Sequence, residues 1–302
     1  MEAFDSDIRP HVQVHVVHGF WKREDAHRLQ LVKDASLFPN VQLHVAPMPE
    51  MFGTHHAKML ILFRRDDTAQ VIIHTANMIA KDWTNMTNAV WISPMLPRII
   101  GPSQENLSSE NMTRGGGERF KFDLLNYLRS YDRMRPVCAN LVARLDEHDF
   151  ASVKGSLVAS VPGTHEAHEE PHGTHWGWDG LAKSLQHVPC QGGKSEVVTQ
   201  ISSIATLGAN DTWLRGTLFK ALSKRKAAEN SQLPLQPQFK VVFPTASEIR
   251  ASLDGYKSGE SIHTKIQSKQ HDMQLKYLRP IFHHWAADEA TRAGELSIDT
   301  VV

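Results

Sequence analysis

The sequence predicts an α/β protein, and three observations carry that reading. Short β-type runs near residues 12, 41, 58 and 70, with a helical run between the first two, favour mixed layers over an all-helical fold. Met59-Leu60-Ile61-Leu62-Phe63 is apolar at every position, which suits a strand covered on both faces. The alternation of strand and helix then begins again after residue 150. The chain therefore reads as two units, residues 1–150 and 151–302, with a boundary near His148 to Lys154.

Residues 12–17 read as the first strand, ending at His18-Gly19. Residues 22–35 have helical spacing, with Ala26, Leu29, Val32 and the Lys33 stem on one side. Residues 41–46 form a second strand, closed by Pro47 and Pro49. Strands follow at 56–63 and 69–75, separated by the charged turn Arg64-Arg65-Asp66-Asp67. Residues 101–118, rich in Ser, Asn and Gly, read as an exposed loop, and helices are expected at 120–132 and 137–145. In the second half the pattern predicts a strand at 156–161, a helix at 178–187 and a strand at 196–204. A helix at 211–223 follows, with Asn210 or Asp211 as its N-cap. A basic, Pro-containing loop over 224–238 leads to a strand at 239–243, a helix at 247–253 and a last helix at 274–289.

Composition narrows the function classes. With 41% hydrophobic and 22% charged residues, neither a disordered nor a collagen-like chain fits. No apolar run reaches the ~18 residues of a membrane-spanning helix, and the polar start over residues 1–11 does not read as a secretory leader. Cys138 and Cys190 are the only cysteines, which argues against a disulfide framework or a Cys-based zinc site and for a reducing compartment. Lys plus Arg balance Asp plus Glu, 33 against 33, so the chain is not a polybasic nucleic-acid binder, although local basic grooves are compatible with that balance.

The stretch with most chemistry is Gly53-Thr54-His55-His56-Ala57-Lys58, followed by His74-Thr75-Ala76-Asn77. On a strand, His56 and Lys58 share a face, and Asn77 falls at the end of the next strand. An imidazole beside an ammonium and an amide suits attack on a phosphate. His is a nucleophile near neutral pH, and Lys and Asn can stabilise charge on phosphoryl oxygens. His-x-Lys is a weak pattern, and spacing alone favours the plainer reading of a histidine and a lysine at an ordinary strand start.

Longer stretches carry a resemblance. Phe52-Gly53-Thr54-His55-His56-Ala57-Lys58-Met59, Val71-Ile72-Ile73-His74-Thr75-Ala76-Asn77-Met78-Ile79, Asp82-Trp83 and Trp91-Ile92-Ser93-Pro94 closely resemble the tyrosyl-DNA phosphodiesterase family. That family is the branch of the phospholipase D superfamily with His-x-Lys…Asn in place of His-x-Lys…Asp. The likeness continues through Val17-His18-Gly19, Gln200-Ile201-Ser202-Ser203, Leu207-Gly208, Ser252-Leu253-Asp254-Gly255-Tyr256 and Phe282-His283-His284-Trp285.

The resemblance implies a phospholipase-D-like α/β fold, sheets flanked by helices, with one nearly complete domain and part of a second. It implies that His56 is the nucleophile forming a phosphohistidine with a DNA 3′ end, and that Lys58 and Asn77 hold the phosphoryl oxygens. Asn88 matches a polar amide near the nucleophile, Phe52 a residue packing near DNA, and Ser203 and Thr206 phosphate-contacting hydroxyls. The implied substrates are single- or double-stranded DNA 3′ ends joined to tyrosyl or topoisomerase I peptides, handled in the nucleus, without metal, cofactor or membrane, by a monomer.

The family's second His-x-Lys follows the helix matched by Phe282-His283-His284-Trp285. His263-Thr264-Lys265 precedes that helix, and no Asn occurs after Asn230, so it reads as a loop. The expectation is a chain that is inactive or traps itself as the phosphohistidine, and the alternative is a non-catalytic relative that binds DNA ends.

Among the other clusters, His165, His168, His172 and His175 with Glu166, Glu169 and Glu170 invite a metal reading. His168-Glu169-Glu170-Pro171-His172 matches a zinc-helix pattern, but Pro171 breaks the turn that would align the imidazoles. Trp83, Trp91 and Trp213 lie in apolar patterns and read as core.

Overall fold

The computed structural model describes residues 4–50, 53–84, 86–101, 112–165, 173–190, 194–226, 236–264, 268–284 and 296–297. The strand–helix–strand opening is present as β1 (Val14–His18), α1 (Ala26–Ala35) and β2 (Val41–Val45), with β1 and β2 paired in parallel, Val14 opposite Val41. α1 starts four residues later than expected because Asp25 caps it, its carboxylate accepting from the backbone N–H of His27 (2.9 Å) and Arg28 (3.2 Å). Leu29 and Val32 on its apolar side are exposed.

β3 (Met59–Phe63) and β4 (Thr68–His74) form an antiparallel hairpin, extended by β6 (Val90–Ile92) on the far side of β4, after β5 (Met86–Thr87). β7 (Leu96–Pro97) also pairs with β4. The charged turn is built by Asp66, whose carboxylate accepts from Thr68 N–H (3.2 Å) and Oγ1 (2.6 Å), and by Asp67 at a positive φ of 56°. Two expectations fail here. The strand begins at Met59 rather than at residue 56, and it is not covered on both faces, since Leu62 is 36% exposed and the others are half-buried. β3 is the edge of its sheet, so an unbroken apolar run did not mean a central strand.

The helices α2 (Gly117–Arg129) and α3 (Ala139–Asp146) carry the core around Phe120, Leu124, Leu128, Val142, Leu145 and Phe150. Arg119 and Asp123, both buried, form a bidentate pair at 2.9 Å, and Arg119 also donates to Gly173 O. Asp123→Ala would leave a buried guanidinium without its carboxylate, and is expected to cost about 3–5 kcal/mol, read as an earlier urea midpoint. Residues 156–161 form no strand; their backbone is irregular there.

In the second half, α4 (Gly177–Leu185) is followed by β8 (Glu196–Gln200) and β9 (Ser203–Ile204), so the single strand expected at 196–204 is two. A helical run over 212–222 combines a π-helical stretch, Leu214–Phe219, with α5 (Lys220–Leu222). Next come β10 (Gln238–Val242) and α6 (Ala246–Ala251), whose Thr245 and Glu248 make a reciprocal capping box. β11 (His263–Thr264), α7 (Lys269–Leu278) and β12 (Phe282–His283) complete this half, with β13 (Leu296–Ser297) pairing with β5. β8, β10 and β12 form a parallel sheet in the order β12-β10-β8.

The last helix is therefore displaced from the expected 274–289. Ser268 caps it early, and Pro280, which cannot donate an N–H, ends it before Phe282 enters the sheet. Residues 285–289 lie outside the described residues. His263 and Thr264, read as a loop, are instead a short strand pairing in parallel with Ser203 and Ile204.

The chain divides into two compact units, each discontinuous: residues 1–57 with 97–174, and residues 58–96 with 175–302. The boundary expected near residue 150 lies inside the first, because α2 and α3 pack with the segment around Phe150 and Val153.

Candidate active site

Where β3 and β4 end, the ladder sets the site. His74 N–H donates to Lys58 O at 3.1 Å, the last rung beyond the Met59–Ile73 pair. After His74 the partner chain turns away; residues 53–57 belong to no described strand, and His56 is exposed in that segment. The expectation that His56 and Lys58 share one strand face does not hold, because the strand starts after both. The boundary between the two units falls between Ala57 and Lys58, which places Lys58, Asn77 and Asn88 in the second.

Asn77 follows buried Ala76 and is held by a carboxylate to which the sequence analysis assigned no role. Asp82, 5% exposed in the 3₁₀ turn Ala80–Trp83, accepts from Asn77 backbone N–H (2.6 Å) and from Asn77 Nδ2 (2.8 Å). Trp83 Nε1–H donates to Asn77 O at 2.8 Å. A carboxylate can only accept, which orients the amide with its NH₂ toward Asp82. One amide proton is committed there, and the geometry leaves the second for a ligand oxygen. The available signal was an acidic residue five positions past Asn77, after the apolar Met78-Ile79-Ala80.

Asp82 also acts on Lys58. Burial of the half-buried ammonium pushes its pKa below the ordinary 10.5, and the Asp82 charge pushes it back up. If Lys58 must be charged to hold a phosphate, the alkaline limb of 3′-phosphorylated oligonucleotide binding is expected below pH 10.5, and Lys58→Arg should remove it. An anisotropy titration against pH checks this.

Asn88 is engaged within the loop. Its Nδ2 donates to Asp82 O (2.6 Å) and Met86 O (3.2 Å), and its Oδ1 accepts from Thr75 Oγ1 (3.0 Å). It braces the Asp82 turn against the end of β4. His74 is buried, with Nδ1 2.9 Å from Ala76 O, and its Nε2 has no hydrogen-bond partner among the described residues. Trp83, expected in the core, is 56% exposed, and Trp213 is exposed as well, so their apolar neighbours in sequence did not imply burial.

Ser203 lies on β9 and Thr206 just after it, both exposed and in the same unit as Lys58 and Asn77. The turn carrying Thr206 is fixed by buried Gln274 of α7, which donates to Ala205 O (3.1 Å) and accepts from Leu207 N–H (2.9 Å). Thr206 is thus presented outward between two anchored peptide groups. Phe52 lies outside the described residues.

Among the described residues no three His, Cys, Asp or Glu side chains gather as a metal site would require. His175 is tied into α4, with Nδ1 2.7 Å from Asp179 Oδ2 and Nε2 3.1 Å from Lys183 Nζ. His168, His172 and the three glutamates lie outside the described residues.

A family model described as tyrosyl-DNA phosphodiesterase matches residues 1–298. The probable tyrosyl-DNA phosphodiesterase of Schizosaccharomyces pombe is 26% identical over 333 residues, covering 92% of this chain and 58% of that protein. Tyrosyl-DNA phosphodiesterase 1 of Drosophila melanogaster is 30% identical over 250 residues, covering 82% of this chain and 40% of that protein. The chain thus spans about half the length of these curated relatives. The crystal structure of the yeast tyrosyl-DNA phosphodiesterase superposes with a TM-score of 0.67 at 19% identity, over 96% of this chain and 66% of that one, and shows the phospholipase-D-like fold.

Proposed function

This chain belongs to the tyrosyl-DNA phosphodiesterase family, and from that premise we propose that it acts on DNA 3′ ends carrying tyrosyl or topoisomerase I peptide adducts. An imidazole nitrogen of His56 attacks phosphorus. The P–N bond forms, the P–O bond to tyrosine breaks, and the phenolate leaves and takes up a proton. Lys58 and the amide of Asn77 bind the non-bridging oxygens, whose charge grows in the transition state. Completing the reaction needs water to attack phosphorus and break the P–N bond, giving a 3′-phosphate and free histidine, with a second acid–base group to assist. The family's second His-x-Lys would supply that group; no such pair occurs in residues 286–302, so this sequence is proposed to stop at the phosphohistidine.

The observation that carries this reading is the buried Asp82, which holds the Asn77 amide and whose charge raises the pKa of Lys58, two positions after His56. Ser203 and Thr206 would contact flanking phosphates and Phe52 the DNA, while Asn88 braces the site from behind. The reading uses no metal, and a nuclear place of action and a monomer belong to the same proposal.

The test compares oligonucleotides of one sequence with phosphotyrosine at the 3′ or the 5′ end, in EDTA. Tyrosine release from the 3′ substrate alone is expected. Equal release from both, or none from a bound 3′ substrate, contradicts the proposal.

A further inference from the structure

In the segment before β3, His56 is exposed, while its neighbour His55 is half-buried. His55 Nε2 lies 2.9 Å from Tyr131 Oη, which lies 2.6 Å from Tyr127 Oη. The rings meet edge-on, with centroids 5.6 Å apart for His55 and Tyr131 and 5.4 Å for Tyr131 and Tyr127. Tyr127 is a buried residue of α2 and Tyr131 sits in the 3₁₀ turn Ser130–Asp132 that follows. Burial raises the pKa of both phenols, so both remain neutral hydroxyls able to donate and accept.

On its other side His55 meets Gly19, the residue after β1. A Cβ on Gly19 would lie 2.5 Å from the Cβ of His55, closer than any two such atoms approach. Gly19 is therefore required by contact. All five residues belong to one compact unit.

We propose that His55, clamped between Gly19 and the Tyr131–Tyr127 hydroxyl pair, is a positioning residue that sets the direction of the neighbouring His56 imidazole. The inference rests on the reading of His56 as the nucleophile. A nucleophile must approach within about 3–3.5 Å along the line of the departing bond, and a misplacement near 1 Å can cost about 10²-fold. Residues 53–57 belong to no described strand, and the precision is supplied by the His55 side chain, held by a hydrogen bond, an aromatic edge and a glycine wall.

The test measures the single-turnover rate of phosphohistidine formation on a 3′-phosphotyrosyl oligonucleotide, the affinity for that oligonucleotide, and the melting temperature. The full 302-residue chain is compared with Tyr131→Phe, His55→Ala and His55→Gln. Tyr131→Phe removes one oxygen and His55→Ala the whole ring, and each is expected to slow the rate by about 10- to 100-fold. Affinity should be little changed, since both side chains are part-buried and neither is among the residues proposed to contact DNA. His55→Gln, whose amide nitrogen can still reach Tyr131, should recover most of the rate. A merely structural role would lower the melting temperature of all three variants without separating rate from affinity.

An unchanged rate in Tyr131→Phe and His55→Ala, with adduct formed by the parent chain, overturns the positioning role and leaves His56 as nucleophile. No adduct from the folded parent chain overturns the reading of His56, and this inference with it.

Discussion

His56→Ala is expected to abolish release of tyrosine from a 3′-phosphotyrosyl oligonucleotide, a loss of at least about 10⁴-fold. A misplaced acid or base costs ~10²–10⁴. Here the residue lost forms the bond itself, and the covalent route disappears with it. Phenolate is a good leaving group, so a residual reaction would need water held by Lys58 and Asn77 in place of the imidazole. His56 is exposed and lies outside the β3 ladder, so alanine should leave the melting temperature nearly unchanged. Unaltered adduct formation in a folded His56→Ala chain would move the nucleophile elsewhere.

Asp82→Ala carries the second-largest expected effect, through three links. It removes the acceptor of both Asn77 N–H groups, so the amide loses its fixed direction. It leaves the Asn77 backbone N–H without its acceptor, at little cost in stability because Asn77 is exposed to water. It also removes the charge that raises the Lys58 pKa, leaving the burial that lowers it unopposed. The expected result is about a 10²-fold slower single-turnover rate, the size seen when one preorganised donor is lost. The alkaline limb of the rate should also move to lower pH than in the parent chain. Asp82→Asn keeps the shape and one acceptor, so its rate should fall less, while its alkaline limb moves as in the alanine variant. A rate within a fewfold of the parent and an unmoved limb would show that Asp82 only shapes the turn.

These residues differ in how far the sequence disclosed them. The β3–β4 hairpin was legible because Asp66 and Asp67 supply turn chemistry between two apolar runs. The capping box of Thr245 and Glu248 is likewise written locally, and α6 differs from its expected range by only one or two residues. The displaced last helix was readable too. Ser268 and Pro280 are ordinary start and stop signals, and they place the helix before residue 281. The edge position of β3 was not legible, since an apolar run looks the same whether or not a second layer covers it.

At the site, the types and order of His56, Lys58 and Asn77 could be read, but their supports could not. Asp82 acts through a 3₁₀ turn whose hydrogen bonds follow from its backbone path. His55 depends on Tyr131, 76 positions away, and on a glycine that matters only because another chain segment touches it. Residue pattern carries the chemistry of a side chain more readily than the contacts that aim it.

The most direct test of the account is an intact-mass measurement of this chain after incubation with a 3′-phosphotyrosyl oligonucleotide in EDTA, followed by peptide mapping. The account predicts a covalent species heavier by the whole oligonucleotide joined through its 3′-phosphate, labile to acid, on the peptide containing His56, and absent from His56→Ala. Tyrosine release without such a species, or the phosphoryl group on any other residue, would contradict it.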